Sequence, residues 1–302
     1  MATSAATLHV LGPVARPAAP EKLPAPMPAP EAAWDGRIAE PEPALLEASR
    51  AFPGAALPRI SKGGRLPRDV YRRPSGPAGA QPRIALLLAG IGLSASDSRT
   101  AIDVLPGVVS LAFSAYTPNP ESLMEAARSR GHEVLASLPM EPNGYPLNDA
   151  GPRSLLTGRT PAANREALEW AMSRLQGYAG LTGASDGLRG ERFAEQTASL
   201  TLVLDEAARR GLLYIDPRPD APAPHGVGRT VDVVVDDPAT RADVEAKLAM
   251  LERIARERGS ALGLAGPLRP MTVERLAAWV RDVGSRGYEL VPVSALAAVS
   301  PQ

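Results

Sequence analysis

The amino-acid sequence predicts an α/β fold made of repeated strand–helix units, and three observations support this class. The apolar run 84–88, ended by Ala89-Gly90, has the composition of a strand buried on both faces of a parallel sheet. Strand and helix patterns alternate from this run onward. Several helix patterns end in an arginine followed by a glycine, with a strand pattern after each. Such units form either a closed or nearly closed (β/α) barrel or an open doubly wound sheet.

The individual elements follow from local patterns. Candidate strands are 84–88, 108–113, 133–138, 179–183, 212–216, 231–235, 261–264 and 289–291. Helix starts carry a capping residue before proline, at Asn119-Pro120, Thr160-Pro161 and Asp237-Pro238. Helix ends pair a cation for the helix dipole with a glycine for the left-handed cap, at Arg130-Gly131, Arg210-Gly211, Arg258-Gly259 and Arg286-Gly287. Two long loops, 139–160 and 217–229, follow strands on the side where such folds build their sites.

The amino-terminal part of the chain has a different composition. Residues 1–56 are rich in proline and alanine, and 15 of the 32 prolines precede Ile84. Such a tract buries little apolar surface, so we predict a disordered leader over 1–56. Residues 57–82 form a basic lead-in, which is either simply solvated or contacts an anionic partner. The folded domain is predicted over 83–299.

Composition excludes several classes of protein. Thirty-three basic and 33 acidic residues cancel, which argues against nucleic acid as a partner. The chain has no cysteine and no apolar run long enough to span a bilayer. Gly90-Ile91-Gly92 lacks the third glycine of a dinucleotide fingerprint, so we expect no nucleotide cofactor. The first 30 residues show no export signal, because no basic start precedes an uninterrupted apolar stretch.

Candidate site residues stand where strands end. Glu141, Asp216 and Asp236 follow three different strands, and such carboxylates can converge on one mouth as acid and base or as hydroxyl ligands. We predict Asp216 and Glu141 as the catalytic candidates. Asp237 is explained as a helix cap. Candidates for substrate binding are Asp236, the cations Arg192 and Arg218, and His225 in the loop after Asp216. Two carboxylates and one loop histidine make a poor zinc site, so we predict no metal ligands and no cofactor.

The chain resembles the divergent polysaccharide deacetylase family over about residues 57–299. The motifs that carry this resemblance are Leu57-Pro58-Arg59-Ile60, Ile102-Asp103-Val104-Leu105-Pro106, Gly131-His132-Glu133-Val134-Leu135, Leu138-Pro139-Met140-Glu141-Pro142, Leu155-Leu156-Thr157-Gly158, Arg192-Phe193, Leu212-Leu213-Tyr214-Ile215-Asp216 and Leu290-Val291-Pro292-Val293-Ser294. The resemblance implies an irregular (β/α) barrel of seven to eight parallel strands. It also implies a role in carbohydrate metabolism and a location in the periplasm or cell envelope.

The sequence departs from the family where a metal would be held. Family members often carry an Asp pair where this chain has Ala89-Gly90, a histidine where it has Gly187, and His-Pro where it has Gly266-Pro267. Two hypotheses follow. The first is hydrolysis of an acyl group on an envelope glycan, with Asp216 as base and Glu141 as its polar partner. The second is a pseudoenzyme whose barrel mouth binds a glycan or an envelope protein.

Overall fold

A computed structural model describes residues 35–300 as a curled, mostly parallel sheet surrounded by helices. The strands are β1 (Leu46–Ala48), β2 (Ala56–Pro58), β3 (Arg83–Ile91), β4 (Ser110–Ser114), β5 (Val134–Ser137), β6 (Gly180–Thr182), β7 (Leu213–Asp216), β8 (Gly226–Thr230), β9 (Val233–Val234), β10 (Ser260–Ala265), β11 (Glu289–Leu290) and β12 (Ala298–Ser300). The helices are α1 (Pro67–Val70), α2 (Ala95–Val104), α3 (Glu121–Ser129), α4 (Pro161–Ser173), α5 (Glu191–Glu195), α6 (Thr197–Arg209), α7 (Arg241–Arg258) and α8 (Pro270–Val283).

Eight parallel strands form the body of the sheet in the order β9-β10-β3-β4-β5-β6-β7-β8. At one edge β12 adds to β8 in the antiparallel direction, and β11 pairs with the start of β3. The two ends of the parallel run, β8 and β9, are not adjacent in this order. The predicted irregular barrel of seven to eight parallel strands is therefore confirmed. The chain itself joins β8 to β9 through Val231 and Asp232, whose N–H groups donate to the carbonyl oxygens of Asp216 on β7 and Leu262 on β10.

Alternate strand residues separate two cores. Side chains that face the inside of the curl pack with one another and with no helix, as Leu87, Leu135, Ile215 and Leu264 do. Side chains on the outer face, such as Leu86 and Tyr214, pack against the surrounding helices. This alternation is the period of two that a strand imposes, and it decides which way each residue at a strand end points.

Three of the helix ends predicted at Arg-Gly pairs are those of α3, α6 and α7, and the fourth pair, Arg286-Gly287, ends a short 3₁₀ helix (Gly284–Arg286) that follows α8. The glycines have φ between +69° and +89°, the left-handed conformation expected after a helix, at Gly131, Gly211, Gly259 and Gly287. The predicted start of α4 is also confirmed, because Thr160 accepts a hydrogen bond from the backbone N–H of Ala163. The prediction of Asp237 as a cap is wrong. Helix α7 begins at Arg241, and Thr240 caps it by accepting from the N–H of Asp243.

The predicted leader is too long. Residues 35–56 pack on the barrel: Leu45 and Ile38 are buried with Tyr71, and the Ile38 N–H donates to the Arg128 carbonyl oxygen. Glu47, on β1, pairs with the buried Arg210 at 2.9 Å. Composition did not predict this ordered segment, because a few buried side chains are enough to hold a proline-rich segment when the rest of the domain supplies the apolar surface that they contact. The remainder of the predicted leader, 1–34, lies outside the described residues.

Candidate functional site

The positions at which the family resemblance implies metal ligands lie together at the mouth, the edge where the strands end. Ala89, Gly187 and Gly266 line one void of only about 10 Å³. A Cβ atom on Gly266 would lie 3.1 Å from Cβ of Ala89, and one on Gly187 would lie 2.7 Å from Cδ of Pro267. The void holds one water molecule at most. Small residues and the backbone therefore fill the mouth between Ala89, Gly187 and Gly266 almost completely.

A tight turn replaces the loop that would carry a histidine. The backbone N–H groups of Ser185 and Leu188 each donate to the other's carbonyl oxygen at 2.8 Å. The two residues between them, Asp186 and Gly187, have φ of +47° and +82°. Asp-Gly with two positive φ angles is typical of a type I′ turn. The turn brings Gly187 against Pro267 and directs Asp186 toward Gly90.

The donor set does not fit a divalent metal. A catalytic zinc requires about three protein ligands and an open position for water. Among residues 35–300, no three His, Asp or Glu side chains lie close enough to hold one ion. The void between Ala89 and Gly266 is lined mainly by apolar residues and glycine, and Arg189 is its one charged neighbour. The side chains that would hold a metal ion are therefore not provided at this position.

Glu141 is buried in the long loop between β5 and α4. Its Oε2 accepts from the backbone N–H and the hydroxyl of Thr157, at 2.5 and 2.7 Å. Its Oε1 lies 3.0 Å from Nε of Arg192, whose side chain is half exposed. The structure thus brings two predicted site residues together, and their contacts tie the loop to helix α5.

Asp216 ends β7 and is fully buried. Its Oδ1 accepts from the backbone N–H and Nε of Arg218, each at 3.0 Å, and its Oδ2 accepts from Nη2 at 2.7 Å. Hydrogen bonding to Asp216 raises the pKa of Arg218. Burial, with the Asp216 charge as a smaller cause, raises the pKa of Tyr214. Asp216 shares the outer face of β7 with Tyr214.

Asp236 and His225 have separate surroundings. Both Asp236 carboxylate oxygens accept from the Gly266 N–H, at 3.0 and 3.1 Å, and burial raises the pKa of Asp236. This carboxylate therefore fixes the loop after β10. Nε2 of His225 lies 3.2 Å from Oδ1 of Asp205 on α6, outside the mouth. Within the described part of the chain, Glu141, Asp216, Asp236 and His225 share no hydrogen bond or ion pair, so the roles assigned to them remain predictions.

A cavity of about 250 Å³ opens beside the closed void, and we call it the mouth cavity. Its walls come from the ends of β3 and β4, the loop between β5 and α4, and the turn after β6; the lining residues are Leu93, Ser114, Tyr116, Asp149–Pro152, Ser185, Asp186 and Leu188. Sequence reasoning missed these residues. The Asp186-Gly187 dipeptide was a usable signal, since it marks a type I′ turn at a strand end.

The glycine at 151 shapes one wall of the mouth cavity. Gly151 has φ of +114°, and a Cβ atom there would lie 2.6 Å from the ring of Tyr116. The ring also packs at 5.0 Å from Trp170, centroid to centroid, and its hydroxyl accepts from the Arg153 N–H. Tyr116 is therefore held in place from three sides and forms a rigid aromatic wall.

A larger cavity of about 660 Å³ lies between the loop after β7, residues 228–234 and helix α7. Its charged side chains largely pair with one another: Arg229 and Arg258 both contact Asp232, and Arg189 contacts Asp237. Lys247 and Asp220 also line this cavity, so four basic and three acidic side chains surround it. This cavity shares no lining residue with the mouth cavity.

A curled parallel sheet with loops gathered at the carboxyl ends of its strands defines a (β/α)-barrel protein. The divergent polysaccharide deacetylase family model matches residues 86–297, and the chain belongs to this family.

The chain is also similar to individual proteins. The crystal structure of an uncharacterized protein from Agrobacterium tumefaciens C58 is 33% identical, with a TM-score of 0.73 over 80% of this chain and 99% of that one. An uncharacterized protein of Haemophilus influenzae is 23% identical over 213 residues, 68% of this chain and 73% of that protein. The catalytic domain of a peptidoglycan N-acetylglucosamine deacetylase from Eubacterium rectale is 12% identical, with a TM-score of 0.47 over 76% of this chain and 96% of that domain.

Proposed function

We propose that this family member binds an envelope glycan in the mouth cavity and does not hydrolyse it through a bound metal. The observation that carries the proposal is the packing of Ala89, Gly187 and Gly266 at the positions of the implied ligands. Loss of the ligands alone would leave an open pocket. Here the backbone has also closed over the place where a metal and its water would sit.

The predicted catalytic carboxylates support the same view. Asp216 is bonded on both oxygens to Arg218, and Glu141 is bonded on both oxygens to Thr157 and Arg192. A general base must reach the proton that it removes, directly or through one water. Neither carboxylate faces the mouth cavity, so both serve to hold loops in place.

The mouth cavity has the character of a sugar site. Ligand pockets for drug-sized molecules occupy roughly 300–1,000 Å³, so a cavity of about 250 Å³ suits a single sugar ring. Tyr116 offers an apolar face, while Ser114, Ser185 and two carboxylates offer hydrogen-bonding groups. A hexose ring needs this combination of one flat apolar contact and several polar ones.

The location that follows from this proposal is the periplasm or cell envelope. No helix within residues 35–300 combines the length and apolar character needed to cross a bilayer. Fractionation of the native host tests this location directly, because a glycan-binding role requires the protein to be found with the envelope fraction.

Co-sedimentation with purified peptidoglycan sacculi tests the binding. We expect the protein to pellet with sacculi after dialysis against a chelator, and we expect Tyr116→Ala to reduce the bound fraction severalfold. Tyr145→Ala is the matched control, since Tyr145 does not line the mouth cavity. Melting curves of both variants show whether they are folded. If the wild-type protein stays in the supernatant when the sacculi are pelleted, the proposal is contradicted.

A further inference from the structure

The mouth cavity carries an unbalanced negative charge. Asp149 and Asp186 line it, and none of its lining residues is Lys, Arg or His. Arg153 and Arg189 each follow a lining residue directly in the chain. The Arg153 guanidinium lies 3.6 Å from Glu166 and over the ring of Phe52, and the Arg189 side chain pairs with Glu191 and Asp237. Both arginines are therefore paired with carboxylates that do not line the mouth cavity.

Both carboxylates have free hydrogen-bonding capacity. Asp186 makes no hydrogen bond or ion pair with any residue between 35 and 300, and Asp149 accepts only from the Gly151 N–H, at 2.9 Å. Oδ1 of Asp186 lies 3.6 Å from where a Cβ atom on Gly90 would stand, at the rim of the closed void. Asp149 and Asp186 are both exposed and have no cation partner among the described residues, so a positively charged ligand can reach them and form charge-assisted hydrogen bonds.

The mouth cavity also contains a serine hydroxyl without a hydrogen-bond partner among the described residues. Ser185 is only 8% exposed and lines the cavity, yet its hydroxyl has no hydrogen-bond partner among the described residues. Ser114 is 3% exposed, and its oxygen accepts from the Tyr116 N–H. The hydroxyl oxygen of Ser185 reaches solvent, so a water or a ligand in the cavity can bond to it. Ser185 thus joins the two carboxylates as a hydrogen-bonding group that a ligand in this cavity can contact.

We infer that the mouth cavity recognises an amino sugar with a free amino group, and prefers it to the N-acetylated form. This inference rests on the proposed function and names the ligand class of the same site. A sugar ammonium group donates three hydrogen bonds and brings the missing positive charge. The neutral acetamido group leaves the carboxylates unpaired and carries an acetyl group into a cavity with little spare room. The protein would then bind glycan that a deacetylation reaction has already modified.

Calorimetric titration of the full chain tests the preference. The probes are N-acetylated chitotetraose and the corresponding fully de-N-acetylated tetramer, at equal salt and neutral pH. We expect the free-amine tetramer to bind about ten- to a hundredfold more tightly, the range that a charge-assisted hydrogen bond supplies. Asp186→Asn should remove most of this difference, because it weakens binding of the free-amine tetramer. Asn keeps the turn, because Asn-Gly also favours type I′ geometry.

Asp205→Asn is the matched control, because Asp205 is an exposed aspartate on α6 far from the cavity lining. Equal binding of the two tetramers, unchanged by Asp186→Asn, would overturn the inference while leaving the proposed function intact. An equal loss of affinity for the free-amine tetramer in the Asp186→Asn and Asp205→Asn variants would also overturn the inference, because it would indicate general attraction of a polycation. If neither tetramer binds and the protein also does not sediment with sacculi, both the inference and the proposed function are contradicted.

Discussion

Replacing Asp216 by alanine is the sharpest test of what the buried carboxylates do. The substitution removes a fully buried carboxylate that accepts three hydrogen bonds from Arg218. Breaking a buried pair from one side costs about 3–5 kcal/mol. The Arg218 side chain keeps 14% exposure and can turn toward water, so we expect the lower end, about 3 kcal/mol. For a domain of this size, the melting temperature then falls by about 6–12 °C.

The assay is urea unfolding followed by circular dichroism, with Asp205→Ala as control. Asp205 belongs to an exposed pair with His225, whose loss costs about 0.5 kcal/mol or less. The folded Asp216→Ala variant should bind sacculi as the wild type does. A variant within about 1 kcal/mol of the wild type in unfolding free energy, but defective in glycan binding, would refute the structural role and restore Asp216 as a site residue.

Three further predictions follow from other parts of the barrel. A chain that begins at residue 57 should lose about 3 kcal/mol or more relative to one that begins at residue 35, since it lacks buried Ile38 and Leu45; equal melting temperatures would show that residues 35–56 contribute nothing. Gly187→His should destabilise the fold by about 2 kcal/mol without gaining zinc, because φ is +82° and Pro267 lies in the way; stoichiometric zinc in that variant by atomic absorption would contradict the closed mouth. Burial lowers the pKa of His132, so the unfolded state takes up protons first and stability falls as the pH drops below about 6.5; His132→Gln should flatten this fall in urea titrations, and an unchanged slope would assign it to another group.

The parts of the fold that sequence predicted well are those with strong local chemistry. Each Arg-Gly pair marked a helix end because glycine alone accepts the left-handed cap easily. The strands β3 to β7 and β10 were found because both of their faces are apolar. Strand β8, Gly-Val-Gly-Arg-Thr, was read as part of a loop, since it is half-buried at the sheet's edge and contains two glycines.

The site was harder to predict because it depends on which face a residue takes. Residues 212–215, which precede Asp216, are all apolar, so the sequence could not tell that Asp216 shares the outer face with Tyr214. The departures at Ala89, Gly90, Gly187 and Gly266 were visible in the sequence. Their mutual packing was not, because contacts such as that of Gly187 with Pro267 join loops far apart in the chain.

The most direct test of the central claim measures glycan binding, zinc content and acetate release on one preparation of the wild-type protein. We predict that the protein binds peptidoglycan equally well before and after chelator treatment, holds substoichiometric zinc after dialysis at neutral pH, and releases no acetate from acetylated glycan. One equivalent of zinc, together with acetate release that the chelator abolishes, would contradict the account and establish metal-dependent hydrolysis.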